Sequence, residues 1–337
     1  MNIILTVNQA FDIFLKEYVN LDPNETLLAR RSQSWLLSQI GLFPINDQSF
    51  PKLYPAKHIH FGSFARRTKK RKLDDIDTMI ALNGAGTHYN ECLGRIEIYV
   101  SDSAYQLRNL CWDNTNILNS KKVINKFIAL LTQVSQYGKA DIKRNMEAAT
   151  LNLKSYTWIF DIVPCFFVDK DGLNKDYYLI PDGKGHWKKT DPRIDRNRVA
   201  EVNQLHNGNV LNIVRLMKYW NKRPTMPSMS SYLIENIILN YYSQSTYLQA
   251  SKYVNLEIPK LLQYISGKVL SSVHDPKGIQ GNINTLNSEE QIKISARAMR
   301  DYQKSLEARQ LETQGNHKLS ILKWGDIFGS NFPQYTL

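Results

Sequence analysis

The chain has 337 residues, enough for one large domain or two ordinary ones, and its 42% hydrophobic and 22% charged residues exclude wholesale disorder. Its net charge of +12 favours polyanionic partners such as nucleotides, nucleic acid or an anionic membrane surface, without choosing among them. Three scattered cysteines exclude a disulfide framework, and no apolar run is long enough to cross a bilayer, so we expect a cytoplasmic protein with no membrane contact.

The predicted elements change type along the chain. Roughly the first 45 residues predict two helices, because apolar side chains recur there at helical spacing. Strand patterns follow from about 57 to 190, with a helix at 120–137 among them. The candidate strands are 58–61, 77–82, 95–100, 149–155, 158–168, 176–180 and 186–190. Beyond about 195 the pattern is helical again. The predicted helices there are 209–222, 230–244 and 288–312, the last capped by Ser288.

An acid pair begins the second candidate strand, in the sequence LDDIDTMIAL. Side chains alternate along a strand, so Asp75 and Asp77 point to the same face. Two carboxylates on one face repel each other unless a cation such as Mg²⁺ lies between them, although a solvated acidic turn also fits this pattern. Gly62 and Ser63 favour the metal, because a small-residue turn before a short helix can present backbone N–H groups to a phosphate.

A third acid, Asp161, stands in an otherwise apolar strand. Burying it is costly unless it pairs with a lysine or arginine or binds a metal, and both explanations stay open. In the metal interpretation Gly62 and Ser63 hold a triphosphate, while Asp75, Asp77 and Asp161 hold two Mg²⁺ ions, with Mn²⁺ as a substitute. Such ions stabilise the attacking hydroxyl and the leaving pyrophosphate, and we expect Asp161 to help deprotonate that hydroxyl.

These residues together resemble the DNA polymerase β-like nucleotidyltransferase superfamily. Three further features are similar to the bacterial cyclic-oligonucleotide synthases, which are related to cyclic GMP-AMP synthase and oligoadenylate synthetase. They are FDIVPCF around the third acid, YYLIPDGKGHWKKTDPR with its Trp-x-x-Thr-x-Pro pattern, and the ending LKWGDIFGSNFP. The Gly-Ser turn with the acid pair is specific to the superfamily, whereas these three features indicate the branch.

The resemblance implies an α+β enzyme with two lobes and an active site in the cleft between them. A nucleotidyltransferase core with a mixed sheet and N-terminal helices would span 1–205, and a helical C-terminal lobe closing the cleft would span 206–337. The implied product is a cyclic nucleotide second messenger that activates a separate effector protein in anti-phage defence. In one departure from the family, Arg67 precedes Thr68 where relatives often have glycine, which puts the loop geometry in question.

Nucleotide contacts in the helical half are implied mainly by the resemblance. Lys218 occupies the position from which relatives reach the triphosphate, and Ser231 adds a phosphate contact. Tyr232 either stacks on a base or packs in the core. The basic run at 66–72 steers a triphosphate, binds nucleic acid, or is a solvated loop that keeps the site mouth positive. Four tryptophans are expected in the core: Trp158, Trp187, Trp220 and Trp324.

Three classes of function follow. The first is a Mg²⁺-dependent synthase of a cyclic di- or trinucleotide from nucleoside triphosphates such as ATP and GTP, with no nucleic acid required. The second is a template-independent RNA or tRNA-end nucleotidyltransferase, which the positive charge allows but which lacks a visible RNA-binding module. The third, a degenerate binding protein, is disfavoured because all three acids and the Gly-Ser turn are intact. Base choice, ring size and linkage depend on pocket shape and are not predicted.

Overall fold

The computed structural model describes residues 5–92, 94–170, 172–173, 175–224, 226–244 and 249–336. By packing, the chain forms two compact units. The sheet unit comprises Asn24–Ala65 and Leu73–Arg193, and the helical unit comprises Met1–Pro23, Arg66–Lys72 and Ile194–Leu337. The segment Arg66–Lys72, called the basic segment below, therefore belongs to the helical unit although both of its neighbours in sequence belong to the sheet unit.

Helices and strands follow one another as the sequence patterns indicate, with several additions. The α-helices are α1 (Val7–Phe14), α2 (Pro23–Gly41), α3 (Phe43–Asn46), α4 (Gly62–Ala65), α5 (Tyr105–Arg108), α6 (Ser120–Leu131), α7 (Pro192–Leu205), α8 (Val210–Asn221), α9 (Ser231–Gln244), α10 (Val254–Lys268), α11 (Ser288–Thr313) and α12 (His317–Phe328). The strands are β1 (Ile59–Phe61), β2 (Asp75–Leu82), β3 (His88–Cys92), β4 (Arg95–Tyr99), β5 (Asp141–Asn145), β6 (Ala148–Asn152), β7 (Ile159–Val168), β8 (Tyr177–Pro181) and β9 (Trp187–Thr190). A π-helical turn, Leu15–Val19, follows α1, and 3₁₀ turns cover Pro55–Lys57 and Ser135–Tyr137.

The sheet unit is built on one mixed sheet. Its strand order is β1-β2-β7-β8-β9-β4-β3, and β6 joins it by pairing with both β5 and β7. β2 and β7 run parallel, whereas β1 is antiparallel to β2 and β6 is antiparallel to β7. On one face of the central strands Ile76, Thr78, Phe160 and Ile162 are buried, and Gln33 of α2 donates a hydrogen bond to the Thr78 hydroxyl there (2.8 Å). This face is covered, so the acids of β2 and β7 lie on the other.

The helical unit has one apolar core that joins the N-terminal helix to the C-terminal ones. Phe11 of α1 packs edge-on against Trp324 of α12, with ring centroids 5.1 Å apart, and against Phe332, at 4.9 Å. Phe14 continues the contact with Phe328 at 5.5 Å. By packing, α1 therefore groups with the helices after residue 194, whereas the predicted division assigned it to the core of 1–205. That division, made by catalytic role, stays a prediction.

The predicted class, a mixed sheet with helices followed by a helical C-terminal part, is confirmed. All seven candidate strands are present, and all four tryptophans expected in the core are buried. β3 and β5 were missed because most of their side chains are exposed and polar, so they lack an apolar pattern. The cap of α11 was wrong by one residue: Asn287, not Ser288, forms a capping box with Glu290. No helix within the described ranges is long and apolar enough to cross a membrane.

Candidate active site

The three predicted acids lie on the two parallel strands at the centre of the sheet. In the β2–β7 register, Asp77 is directly opposite Asp161 and Asp75 is opposite Ile159. Strands paired in this way lie about 4.8 Å apart, and opposed residues point to the same face. Asp75 and Asp77, two residues apart, also share that face. All three acids are half-buried, so the pairing gathers them on one accessible patch of the sheet.

The Gly-Ser turn lies beside this patch. β1 pairs with β2 so that Phe61 is opposite Asp77, and α4 begins at the next residue, Gly62. Gly62 has φ of +72°, a left-handed conformation that favours glycine. A Cβ atom on Gly62 would lie 1.7 Å from Asp77 Oδ2, which no side chain allows. Glycine is therefore required here both for the backbone conformation and for the close approach of the Asp77 carboxylate.

The three acids match a magnesium ion in ligand type and in backbone position, but not in the present arrangement of their side chains. Carboxylate oxygens are the ligands that Mg²⁺ prefers, and Asp75, Asp77 and Asp161 supply them from one face of two adjacent strands. The space left by the missing Cβ of Gly62 is occupied by the Asp77 carboxylate itself. Among the residues that the structure describes, no three His, Cys, Asp or Glu side chains are arranged to hold a metal. The three acids are thus neighbours on the sheet without forming a ligating set.

Within the helical unit, the basic segment is held by buried polar contacts. Arg66 Nε donates to Glu235 Oε1 of α9 (2.7 Å), and the Thr68 hydroxyl donates to Glu235 Oε2 (2.7 Å). Arg71 donates from its backbone N–H to Val19 O (2.8 Å) and from Nε to Asn20 O (3.0 Å). The segment is therefore not the solvated loop that one interpretation of the sequence proposed.

Arg67 has a backbone conformation that is unusual for a residue other than glycine. Its φ is +62°, in the left-handed region, so the loop adopts the conformation that glycine accommodates without strain. Arg215 of α8 donates to the Arg67 carbonyl oxygen (3.3 Å) and to Asn212 Oδ1 (2.7 Å). Burial, and then the nearby charge of Arg67, lower the pKa of Arg215 to about 10. Arg67 therefore occupies a left-handed position in this loop, and its carbonyl oxygen is bound by Arg215.

Lys218 lies in the interior of the helical unit. Its residue is 3% exposed, and its Nζ donates to a Glu235 carboxylate oxygen and to both the carbonyl and hydroxyl oxygens of Thr68 (3.2 Å each). These acceptors surround the ammonium group in this structure. The predicted role of Lys218 as a triphosphate ligand has no test here and stays a prediction.

The two predicted contacts at the start of α9 have different surroundings. Ser231 is the first residue of the helix and is exposed. Tyr232 is half-buried, and its hydroxyl lies 2.7 Å from Asp195 Oδ1 and 3.0 Å from Asp275 Oδ1. Burial first, and then the Asp195 carboxylate, raise the pKa of Tyr232 well above its ordinary value. Lys277 Nζ lies 4.4 Å from the ring centroid, so the ring is embedded in a polar cluster as well as packed against the core.

Sequence reasoning missed the carboxylates that organise these side chains. Glu235 is buried in the apolar run YLIENIIL, and Asp195 and Asp275 bind Tyr232 and Lys277. The signal for Glu235 was available: it is an acid within an apolar pattern, the same signal that singled out Asp161. In α9 the sequence analysis singled out only Ser231 and Tyr232, so Glu235 was missed.

The chain is similar to known proteins in sequence and in fold. No family model matches the chain. It is 44% identical over 333 residues to a probable cyclic nucleotide synthase of Bacillus cereus strain VD146, covering 98% of this chain and 99% of that protein. It superposes with a TM-score of 0.69 on CdnC of Escherichia coli MS115-1, solved with ATP, at 17% identity over 97% of this chain and 98% of CdnC. With DncV cyclic AMP-GMP synthase of Vibrio cholerae the TM-score is 0.57, at 11% identity over 83% of this chain and 70% of DncV.

The structural likenesses define the fold as that of nucleotidyltransferases related to cyclic GMP-AMP synthase, with a mixed sheet and a helical C-terminal part. The Bacillus cereus relative, which matches over nearly the full length, identifies the family within this class of proteins. The chain belongs to the family of bacterial cyclic-nucleotide synthases, and it is a nucleotidyltransferase.

Proposed function

We propose that the chain joins nucleoside triphosphates into a cyclic di- or trinucleotide and releases pyrophosphate in a Mg²⁺-dependent reaction. The observation that carries the proposal is the register of β2 and β7, which sets Asp77 opposite Asp161, with Gly62 against the Asp77 carboxylate. Three carboxylates on one face next to a Gly-Ser turn suit a substrate that combines a triphosphate with a hydroxyl nucleophile.

Each residue has a distinct task in this proposal. The N–H groups at the Gly62–Ser63 turn bind the phosphates of the nucleotide that is attacked. A ribose hydroxyl of a second nucleotide forms a bond to the α-phosphorus while the bond to pyrophosphate breaks, and Asp161 accepts the hydroxyl proton. A second attack of the same kind closes the ring. Asp75, Asp77 and Asp161 would hold Mg²⁺, which when bound offsets charge on the attacking and leaving oxygens.

The biological proposal is that the product is a second messenger. It would activate a separate effector protein, which the chain itself need not bind, and this signalling would act in defence against phage. The relative named a probable cyclic nucleotide synthase supports a cyclic nucleotide product, and the role in defence rests on the resemblance of the sequence motifs. In a plaque assay with the effector supplied, cells that express the wild-type chain are expected to resist phage, and cells that express Asp77→Asn are not. Equal plaque numbers in both would argue against this role.

The first experiment identifies the product. Purified protein is incubated with the four labelled nucleoside triphosphates and Mg²⁺ or Mn²⁺, then with phosphatase, and the products are separated and weighed by mass spectrometry. ATP is the natural first substrate, because CdnC was solved with ATP. A small phosphatase-resistant product, absent with chelator and in the Asp77→Asn protein, is the expected result. Long ladders, or labelling only after RNA is added, would instead indicate an RNA or tRNA-end nucleotidyltransferase.

A further inference from the structure

The Glu235 carboxylate accepts hydrogen bonds from the first residues of the basic segment. Its residue is 1% exposed, and three donors reach its carboxylate: the guanidinium of Arg66, the hydroxyl of Thr68 and the ammonium of Lys218. Burial alone raises the pKa of a carboxyl group, but Lys218 and Arg66 outweigh it and lower the pKa of Glu235 to about 2. Glu235 is therefore ionised at neutral pH inside the helical unit.

The same contacts fix the loop in detail. Thr68 has no exposed surface, and Lys218 donates to both its carbonyl and its hydroxyl oxygen at 3.2 Å. Between Arg66 and Thr68, Arg67 is held at a φ of +62°, a conformation that a non-glycine residue keeps only when its neighbours are fixed. Arg66 also lies 5.9 Å from the centroid of the Tyr232 ring, so it links the segment to the first turn of α9.

We propose that Glu235 is a positioning residue for the nucleotidyl-transfer reaction: it holds residues 66–68 in their folded conformation. The proposal rests on the proposed function, because its consequence is catalytic. The segment continues directly into the Gly62–Ser63 turn on one side and into the Asp75–Asp77 strand on the other. The conformation of the loop that joins the turn to the acids therefore depends on one buried carboxylate.

Charge explains why one carboxylate carries this role. If Glu235 is neutral, the cations of Arg66 and Lys218 are buried side by side with no negative charge between them. Each of these cations is then more stable in water than in the interior. A glutamine at position 235 has nearly the same shape as glutamate. Its amide, however, presents either an N–H₂ group or a neutral, weaker acceptor to the donors Arg66, Thr68 and Lys218. The two cations become more stable if the basic segment leaves the helical unit and they reach water. Near residue 67 the segment is also held by the hydrogen bond from Arg215 to the Arg67 carbonyl oxygen, and water can replace that bond.

The basic segment carries its own probe, since it contains six lysine or arginine residues at which trypsin cleaves. The full-length wild-type and Glu235→Gln proteins are digested with limiting trypsin. Each protein is digested at the same number of degrees below its own melting temperature, and cleavage within 66–72 is followed by mass spectrometry. Cleavage there is expected to be about 30-fold faster in Glu235→Gln, the factor that losing a charge-assisted network gives to a local opening equilibrium. Unchanged cleavage at these bonds would overturn the proposal.

Glu257 provides a matched control in the same unit. It is also a buried glutamate, and it accepts hydrogen bonds from the Tyr242 hydroxyl (2.9 Å) and Lys260 Nζ (2.9 Å). Glu257→Gln is expected to lower the melting temperature without speeding cleavage at 66–72. If it speeds cleavage there as much as Glu235→Gln does, the effect is general loosening and the proposal is wrong. Thr68→Val, which removes one of the three donors with little change in shape, replaces Glu235→Gln if the latter does not fold.

A double variant and kinetics complete the test. In Glu235→Gln with Lys218→Met one of the two uncompensated cations is gone, so cleavage at 66–72 is expected to fall at least several-fold below that of Glu235→Gln alone. Product formation by Glu235→Gln is expected to drop about 10-fold or more in kcat/KM, and Glu257→Gln is expected to keep wild-type kinetics. Faster cleavage with unchanged kinetics would refute the catalytic part. If wild type makes no nucleotide product, the proposed function fails, and the trypsin result still decides whether Glu235 holds the segment.

Discussion

Gly62→Ala tests the candidate site at its tightest point. An added Cβ would lie 1.7 Å from Asp77 Oδ2, whereas an ordinary contact needs at least 3.4 Å, so the carboxylate must move by about 1.7 Å. Because the displaced group is the end of a side chain, the fold can absorb the change. The φ of +72° adds a backbone cost of about 1–2 kcal/mol for alanine.

These two costs predict a small effect on folding and a large one on activity. A loss of about 1–2 kcal/mol in a unit of this size lowers the melting temperature by about 3–6 °C. Misplacing a reacting group by more than 1 Å reduces turnover by about 100-fold. The assay measures the rate of phosphatase-resistant product formation at saturating nucleoside triphosphates, together with thermal unfolding of the same preparation.

Gly86→Ala is the matched control. Gly86 lies in the same unit with φ of +80°, but a Cβ there would meet the Ser101 hydroxyl oxygen at an ordinary 3.7 Å. It should therefore lose similar stability and keep its activity. Near-normal activity in Gly62→Ala, or an equal loss of activity in Gly86→Ala, would refute the argument that the Gly62 and Asp77 contact matters for the reaction.

Three further predictions follow from the two units. Asp77→Asn should abolish product formation with a melting temperature within about 2 °C of wild type, whereas the exposed Asp74→Asn should keep activity; the reverse pattern would remove Asp77 from the site. Arg67→Gly should leave activity largely intact and relieve about 1 kcal/mol of backbone strain, and a large loss of activity would show that the Arg67 side chain is itself required. Because the folded pKa of Glu235 is lowered to about 2, its ionised form stabilises the fold above about pH 4.5 and that contribution is lost as pH falls toward 2. The melting-temperature difference between wild type and Glu235→Gln should therefore shrink between pH 6 and pH 3, and a constant difference would contradict the ion pairing.

The sequence indicated the grouping of the three acids in the sheet more fully than the contacts among the helices. The sequence singled out Asp75, Asp77 and Asp161 because a carboxylate in an apolar strand is costly to bury unless it is paired or binds a metal. It did not predict the strand register that sets Asp77 opposite Asp161. Register depends on strand pairing across more than 80 residues of chain, which no local pattern specifies. The helical contacts were less predictable still, since Glu235 and Lys218 meet only when α8 and α9 pack together.

Missed elements have equally physical causes. β3 exposes most of its side chains, so it lacks the alternation that reveals a half-buried strand. α10 contains Pro259, a residue that argues against a helix in any local prediction, yet the helix runs through it from Val254 to Lys268. The left-handed conformation of Arg67 has no local signal in the sequence; only the resemblance drew attention to this position.

The path of the chain between the two units has a practical consequence for any attempt to separate them. The backbone passes from one unit to the other after residues 23, 65, 72 and 193, so no single cut yields either unit as a continuous fragment. A fragment ending at 205 would keep α1 but leave Phe11 and Phe14 without the rings of α12, and it would leave Thr68 without Glu235. Insertions, fusions and truncations are therefore better tolerated at surface turns within a unit than at the boundaries between units. Neither unit is one continuous stretch of the chain, so each needs the full chain for its complete set of contacts.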